Sequence, residues 1–189
     1  IITDHHQPPD QLPAAYAMVN PWRSDCTYGE KYLCGVGIAF KLAQALYRAY
    51  QRPQTEELAL LDLVAIGTIA DIAPLLGENH TLVRLGLQVL NATRKPGLLA
   101  LLQRANLKMG TIRERDVAYG LAPRINAAGR MKDAGIAFKL LISDDPGEAA
   151  HYVEELEVLN LSRQRQTEEL MNSVRSEALA RPNDTVVLV

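Results

Sequence analysis

Ile1-Ile2-Thr3-Asp4-His5-His6 opens the chain, and its reading decides the fold. Two branched apolar residues and a threonine read as the end of a buried strand, so an acid and two imidazoles emerge where that strand stops. In open α/β sheets ligands collect at the carboxyl edge of the strands. A carboxylate beside two imidazoles suits a divalent metal and a phosphate there. Adjacent side chains on an extended or turning backbone diverge, so one imidazole is expected to ligate and the other to face substrate. Asp4 either orients an imidazole or ligates itself. Taken alone, the triplet reads more readily as a capped turn with surface histidines, and it is the surrounding sequence that favours the metal reading. A chain that begins on a core strand, without initiator methionine, polar tail or covering helix, reads as an internal fragment whose N-terminal half is left out.

Working outward, Pro8-Pro9-Asp10 and Asn20-Pro21 punctuate a loop with a short extended piece, Ala17-Met18-Val19, inside it. Gly35-Val36-Gly37 opens a helix to Tyr50 whose apolar surface is wide enough for burial. Pro53 ends it, and Thr55 can cap the next, which leads through Leu58, Leu61, Val64 and Ala65 to Gly67-Thr68-Ile69-Ala70-Asp71. Leu82 to Ala105 stays helical apart from a break at Pro96-Gly97, and a further helix from about Arg115 is expected to end at Pro123. Ser143 to Asp145 supply caps, Pro146 fits a first helical position, and nothing breaks the pattern before Pro182. That predicts a rod of about 50 Å. Its first half is amphipathic and Asn160 to Glu169 is polar nearly all round, as in a helix that spans two bodies. Val186 to Val189 reads as the first strand of another domain.

Composition fits a folded, soluble protein: 189 residues, 48% hydrophobic, 22% charged, net charge −2. No run of about 18 apolar residues and no signal peptide is visible, so no membrane association and a cytoplasmic location are expected. Cys26 and Cys34 are expected as thiols. Charge is unevenly spread. Arg104, Lys108, Arg113, Arg115, Arg124, Arg130 and Lys132 face only Glu114 and Asp116 between positions 104 and 132. A cationic segment on an otherwise anionic chain suggests a polyanion site, although a solvated charged face reads the same way.

Two further groups carry chemistry. Asp71 follows an apolar helix and precedes Ile72-Ala73-Pro74-Leu75, and a carboxylate entering a buried region needs a cation or several donors. A metal ion is one such partner; capping a following turn is the alternative. Asp62, mid-helix, reads as a packing or orienting acid. Ala122-Pro123-Arg124-Ile125-Asn126-Ala127-Ala128-Gly129-Arg130 reads as a basic loop of small residues, in which two guanidinium groups and an amide can approach phosphates. Arginines paired to nearby carboxylates are the alternative. Cysteines with His5 and His6 form no ordinary zinc spacing. His80, His151 and Trp22 read as surface or packing residues.

In this order the motifs resemble the DHH phosphoesterases, and within them the RecJ-type single-strand-specific exonucleases. The carriers are Thr3-Asp4-His5-His6, Asn20-Pro21, Gly35 to Leu42, Asp62 to Asp71, Pro123 to Arg130, and Leu159-Asn160 with Arg163. The resemblance implies an α/β fold: the C-terminal part of a parallel-sheet DHH domain (1–75), a helical extension with the basic Arg124–Arg130 loop (76–145), a connector helix (146–181) and the start of a truncated second domain (182–189). It implies His5 and Asp71 as metal ligands, His6 at the scissile phosphate, Asp4 supporting the histidine pair, and Arg124, Asn126 and Arg130 against single-stranded DNA. Two Mn²⁺ or Mg²⁺ ions would activate water for 5′ to 3′ release of mononucleotides in DNA repair and recombination.

Departures accompany the likeness. Nothing here matches the family's aspartate-rich upstream motif or the glycine-rich domain after the connector, and His80 stands where an arginine is expected. This implies that the chain alone lacks ligands and cleaves little. A DHH phosphodiesterase acting on oligonucleotides or cyclic dinucleotides, or a non-catalytic nucleic-acid-binding scaffold, remains open on sequence grounds.

Overall fold

The structure is a computed structural model and describes residues 1–180; the strand expected at Val186 to Val189 lies outside them. β1 (Ile2–Thr3) and β2 (Met18–Val19) pair in parallel, Ile2 against Met18 and Thr3 against Val19. β1 was expected to be buried, yet Ile1 is exposed and Ile2 only partly covered, because β2 is the strand that pairs with it among the described residues. Helices follow: α1 (Gly35–Ala49), α2 (Gln54–Leu58), α3 (Leu61–Ala70), α4 (Gly77–Leu90), α5 (Pro96–Arg104), α6 (Glu114–Asp116), a π-helical turn (Val117–Leu121), α7 (Ala122–Met131), α8 (Gly135–Ile142) and α9 (Pro146–Ala180). None is long and apolar enough to cross a membrane. The architecture is therefore mixed and mostly helical with a small parallel sheet.

The main core joins Ala65, Ile66 and Ile69 of α3 to Val83 and Leu87 of α4, Leu98 and Leu101 of α5, Val117 and Leu121 of the π turn, Leu140 of α8, and Val153 and Leu156 of α9. A smaller cluster packs Leu33, Ile38 and Phe40 against Leu61, Val64 and Leu82. Hydrocarbon thus runs without a break across the boundaries expected at 75/76 and 145/146. Close approaches explain several glycines. A Cβ on Gly97 would strike the Leu140 carbonyl, and one on Gly86 the Leu61 carbonyl.

Two expectations fail for a shared reason. The helix from Arg115 does not end at Pro123, and the Arg124–Arg130 segment is helix α7, not a loop. Proline has no N–H for the carbonyl four residues back and its ring crowds that carbonyl. Here the backbone widens first: the Ala122 N–H donates to the Val117 carbonyl five residues earlier. Pro123 then falls in the opening turn of α7, where a missing N–H costs nothing.

α9 runs as read from the breakers. Asp145 Oδ1 accepts from the Glu148 N–H at 2.7 Å and caps it, with Pro146 first in the helix. Ala149, Val153 and Leu156 fix its first half in the core, Asn160 is the last residue fully buried among those described, and Gln164 through Ser173 are exposed.

Candidate metal centre and strand-binding groove

Asp4 organises the turn after β1. Its Oδ1 accepts from the His5 N–H (2.8 Å), the His6 N–H (3.3 Å) and His6 Nδ1 (2.8 Å). The bond from His6, against a smaller upward pull of burial and helped by the two backbone donors, holds the Asp4 carboxyl below its ordinary 3.8. With Nδ1–H given to Asp4, the His6 ring turns its Nε2 outward. Asn20, buried between the strand ends, donates from Nδ2 to the His6 carbonyl (2.8 Å) and accepts the Trp22 N–H on Oδ1 (2.8 Å). Asn20 thereby clamps the turn, a role that its place in a Pro-punctuated loop did not disclose.

The adjacent imidazoles do not diverge as expected: the His5 ring lies against that of His6, centroids 4.2 Å apart, and reaches a further acid. Its Nδ1 lies 3.8 Å from Oδ2 of Asp71, the cap residue at the end of α3. Two close packings bring them together. The first turn of α1 abuts the His5 ring, whose Cδ2 lies 3.7 Å from where a Gly35 Cβ would sit. Gly67 lets α3 lie so close to α1 that a Cβ there would be 2.6 Å from Val36 Cγ1. After Asp71 the chain turns sharply at Ile72, an exposed β-branched residue held at φ 55°. That is costly backbone of the kind found at functional sites.

A separation of 3.8 Å is too long for a hydrogen bond. It is within the span that one cation with bonds of about 2.1 Å can bridge. Ligand atoms of Asp4, His5 and His6 also lie within 4.8 Å of one another. Imidazole nitrogen with carboxylate oxygen is a donor set compatible with Mn²⁺ or Mg²⁺. The residues present fit such an ion.

Asp62, the other acid of α3, is taken up structurally: at 1% exposure it meets Lys95 Nζ (2.5 Å), Thr93 Oγ1 (3.3 Å) and the Leu63 N–H (2.7 Å). Cys26 and Cys34 are both free, and Cys34 contacts Thr68 Oγ1.

From Asp71 a cleft of about 470 Å³ passes Gly67, Ala70, Asn126, Gly129 and Arg130. Asn126 and Arg130 are exposed on α7. Arg124 is not placed with them. Its Nε donates to Glu157 Oε2 at 2.6 Å, Nη2 to Oε1 at 3.3 Å and Nη1 to the Gly120 carbonyl at 2.7 Å, fastening α7 to α9. Arg104 also approaches Glu154 and Glu157, so two cations of the basic segment are neutralised by α9, a helix outside it.

Residues 1–68 match the DHH family, N-terminal domain. The single-stranded-DNA-specific exonuclease RecJ of Bacillus subtilis (strain 168) is 43% identical over 183 residues, which is 95% of this chain and 22% of that protein. The crystal structure of RecJ in complex with Mn²⁺ from Thermus thermophilus superposes with a TM-score of 0.82 at 38% identity, over 93% of this chain and 26% of that one. This chain is RecJ-like. The RecJ structure in complex with Mg²⁺ from the same source agrees, with a TM-score of 0.74 at 38% identity over 83% of this chain and 24% of that one. The chain spans between a fifth and a third of the length of these RecJ proteins.

Proposed function

We propose that this chain forms part of a metal-dependent exonuclease that hydrolyses the phosphodiester bonds of single-stranded DNA from 5′ to 3′, releasing mononucleotides in cytoplasmic DNA repair and recombination. The observation that carries the reading is the approach of His5 to Asp71, which are brought within 3.8 Å by two tightly packed helices although the turn and the helix end are far apart in sequence. Within that reading His5 and Asp71 hold Mn²⁺ or Mg²⁺, which when bound supplies Lewis-acid polarisation of phosphate and an acidified water. Asp4 keeps the proton on His6 Nδ1, so that Nε2 is presented to a scissile phosphate in a fixed orientation. Asn20 holds the backbone of that turn against rotation. Asn126 and Arg130 meet the strand's phosphates on the face continuous with Asp71, and Arg124 secures the helix that carries them.

The test uses the complete gene product with 5′-labelled and 3′-labelled single strands and their duplexes. Mononucleotides released from the 5′ end of single strands only, dependent on Mn²⁺ or Mg²⁺ and lost in His6→Ala and Asp71→Ala, are expected. Equal cutting of duplex, or unchanged activity in either variant, would overturn the reading. Asp71→Asn, nearly isosteric, is expected to weaken Mn²⁺ binding measured by titration without substrate.

A further inference from the structure

Asn20 clamps the His5-His6 turn, and the loop that carries Asn20 borders a void. Residues 20–26 make two successive turns, with the Arg23 N–H donating to the Asn20 carbonyl at 3.3 Å and the Cys26 N–H to the Arg23 carbonyl at 3.1 Å. Between this loop and the start of α1 lies a cavity of about 410 Å³, lined by Pro21, Arg23 and Cys26 on one side and by Leu33, Ile38 and Lys41 on the other. Atoms that face a void lack packing partners there, so hydrogen bonds carry more of the task of fixing the loop. Trp22 adds one ring contact, edge-on to Tyr32 with centroids 5.6 Å apart.

Lys31 spans the loop. Its Nζ donates to the Pro21 carbonyl at 2.6 Å and to the Cys26 carbonyl at 3.0 Å. Among the described residues the ammonium meets no carboxylate, so its charge serves to strengthen two bonds to the main chain. Holding both carbonyls fixes the span between them.

The backbone of Lys31 is itself anchored. Glu30 accepts from the Tyr32 N–H (3.2 Å) and from the Glu78 N–H in the first turn of α4 (3.3 Å), and the Tyr32 carbonyl accepts from Asn79 Nδ2 (2.7 Å). Leu33 and Cys34 are 2% exposed. Lys31 therefore reaches from a strut fixed on α4 to the loop that carries Asn20. The loop's other side-chain tie, Arg23 Nη1 to the Met18 carbonyl at 3.1 Å, runs to β2 and not to the helices.

We infer that Lys31 is a positioning residue for the reaction: it holds residues 20–26 where Asn20 Nδ2 meets the His6 carbonyl at 2.8 Å, and so fixes where His6 presents Nε2. It rests on the proposed function and acts through Pro21 and Asn20, without touching the acid and imidazoles of the metal corner. Without the ammonium the loop can settle toward the cavity and draw Asn20 from the turn. The packed cores lose no contact with it, because the partners of Lys31 Nζ are loop carbonyls.

The experiment uses the complete gene product and Lys31→Met, which keeps the stem and removes the donors. On a labelled single strand at saturating Mn²⁺, kcat is expected to fall roughly tenfold with KM within about twofold. Without metal, the Trp22 amide, which donates to Asn20 Oδ1, is expected to exchange roughly tenfold faster while the amides of α3 and α4 keep their protection. Lys31→Arg, which can still donate to both carbonyls, should recover most of both effects. Lys31→Met added to Asn20→Ala should slow the enzyme no further than Asn20→Ala alone. Unchanged kcat or unchanged Trp22 exchange in Lys31→Met, a defect in KM alone, or additive losses in the pair overturn this inference. If Lys31→Met does not fold, Lys31→Gln compared with Lys31→Arg decides on the same readouts. An inactive wild-type protein overturns the proposed function beneath it, whereas Trp22 exchange still decides whether Lys31 sets the loop.

Discussion

Gly67→Ala tests the packing that assembles the site. A Cβ at position 67 would lie 2.6 Å from Val36 Cγ1 and 3.0 Å from Val36 Cβ. Ordinary contact begins at 3.4 Å, so α1 and α3 must part by about 0.8 Å. Val36 cannot swing aside, because a β-branched residue in a helix has essentially one rotamer. Overpacking of this kind costs about 1–3 kcal/mol, of which about 0.5–1 kcal/mol is returned by replacing glycine within a helix. A net loss of about 0–2.5 kcal/mol, centred near 1 kcal/mol, is expected in the opening free energy of α1 and α3, read by hydrogen exchange of their amides. The larger effect is at the site. The same 0.8 Å would carry His5 Nδ1 and Asp71 Oδ2 from 3.8 Å to beyond the reach of a shared ion, and a displacement of about 1 Å at a reacting centre costs about a hundredfold in rate. Mn²⁺ affinity, by titration of the complete gene product, should fall roughly tenfold, a change worth about 1.4 kcal/mol. Adding Val36→Ala reopens the space and should recover most of that loss. Unchanged amide protection and Mn²⁺ affinity in Gly67→Ala, or no recovery in the double variant, would refute the argument that this contact sets the geometry.

Other predictions follow from particular contacts. Lys95→Met strands the Asp62 carboxylate at 1% exposure with only Thr93 and one backbone donor; a loss of roughly 2–3 kcal/mol is expected by urea denaturation, less than for a fully buried pair because the lysine is partly solvated. Arg130→Ala should lower the salt slope of strand binding by about 0.7, whereas Arg124→Ala should mainly speed amide exchange along α7 and the facing turns of α9. Burial raises the Glu78 carboxyl, but hydrogen bonds from Lys41 and Tyr28 outweigh it and hold it below its ordinary 4.5. A depressed carboxylate stabilises the fold above its unfolded value and loses that contribution as pH falls through the folded one. Thermal midpoints of wild type should therefore drop more steeply below pH 4.5 than those of Glu78→Gln; parallel profiles would remove this network from the acid limb.

Much of the fold could be read from punctuation. Pro96 restarts a helix, Pro146 begins one, and the absence of breakers after it gives the full 35 residues of α9 described. Punctuation also misled. Pro123 and Gly129 look like the ends of a loop, but a widened turn before the proline and a late position for the glycine let α7 form through both. α8 went unread because eight mostly apolar residues, Gly135 to Ile142, carry no period that separates helix from buried strand. At the site, residue types chosen for chemistry stood out: Asp4, His5 and His6 cluster after β1, and Asp71, distant in sequence, comes within 3.8 Å of His5. What could not be read was partnership across the chain. Glu157 claims Arg124 from 33 residues away, and only folding discloses that Arg163 is left without an acid among the described residues.

α9 has a mechanical consequence. Its first half is gripped by hydrocarbon through Leu156, and from Gln164 to Ser173 it stands clear of the body, so it behaves as a cantilever with its fulcrum near Asn160. At 1.5 Å per residue the stretch from Asn160 to Ala180 is a lever of about 30 Å, and a tilt of ten degrees at the root sweeps its tip through about 5 Å. Arg163 sits less than one turn beyond that pivot. Force applied to the exposed stretch is delivered, geared down several-fold, to the turn between Asn160 and Arg163.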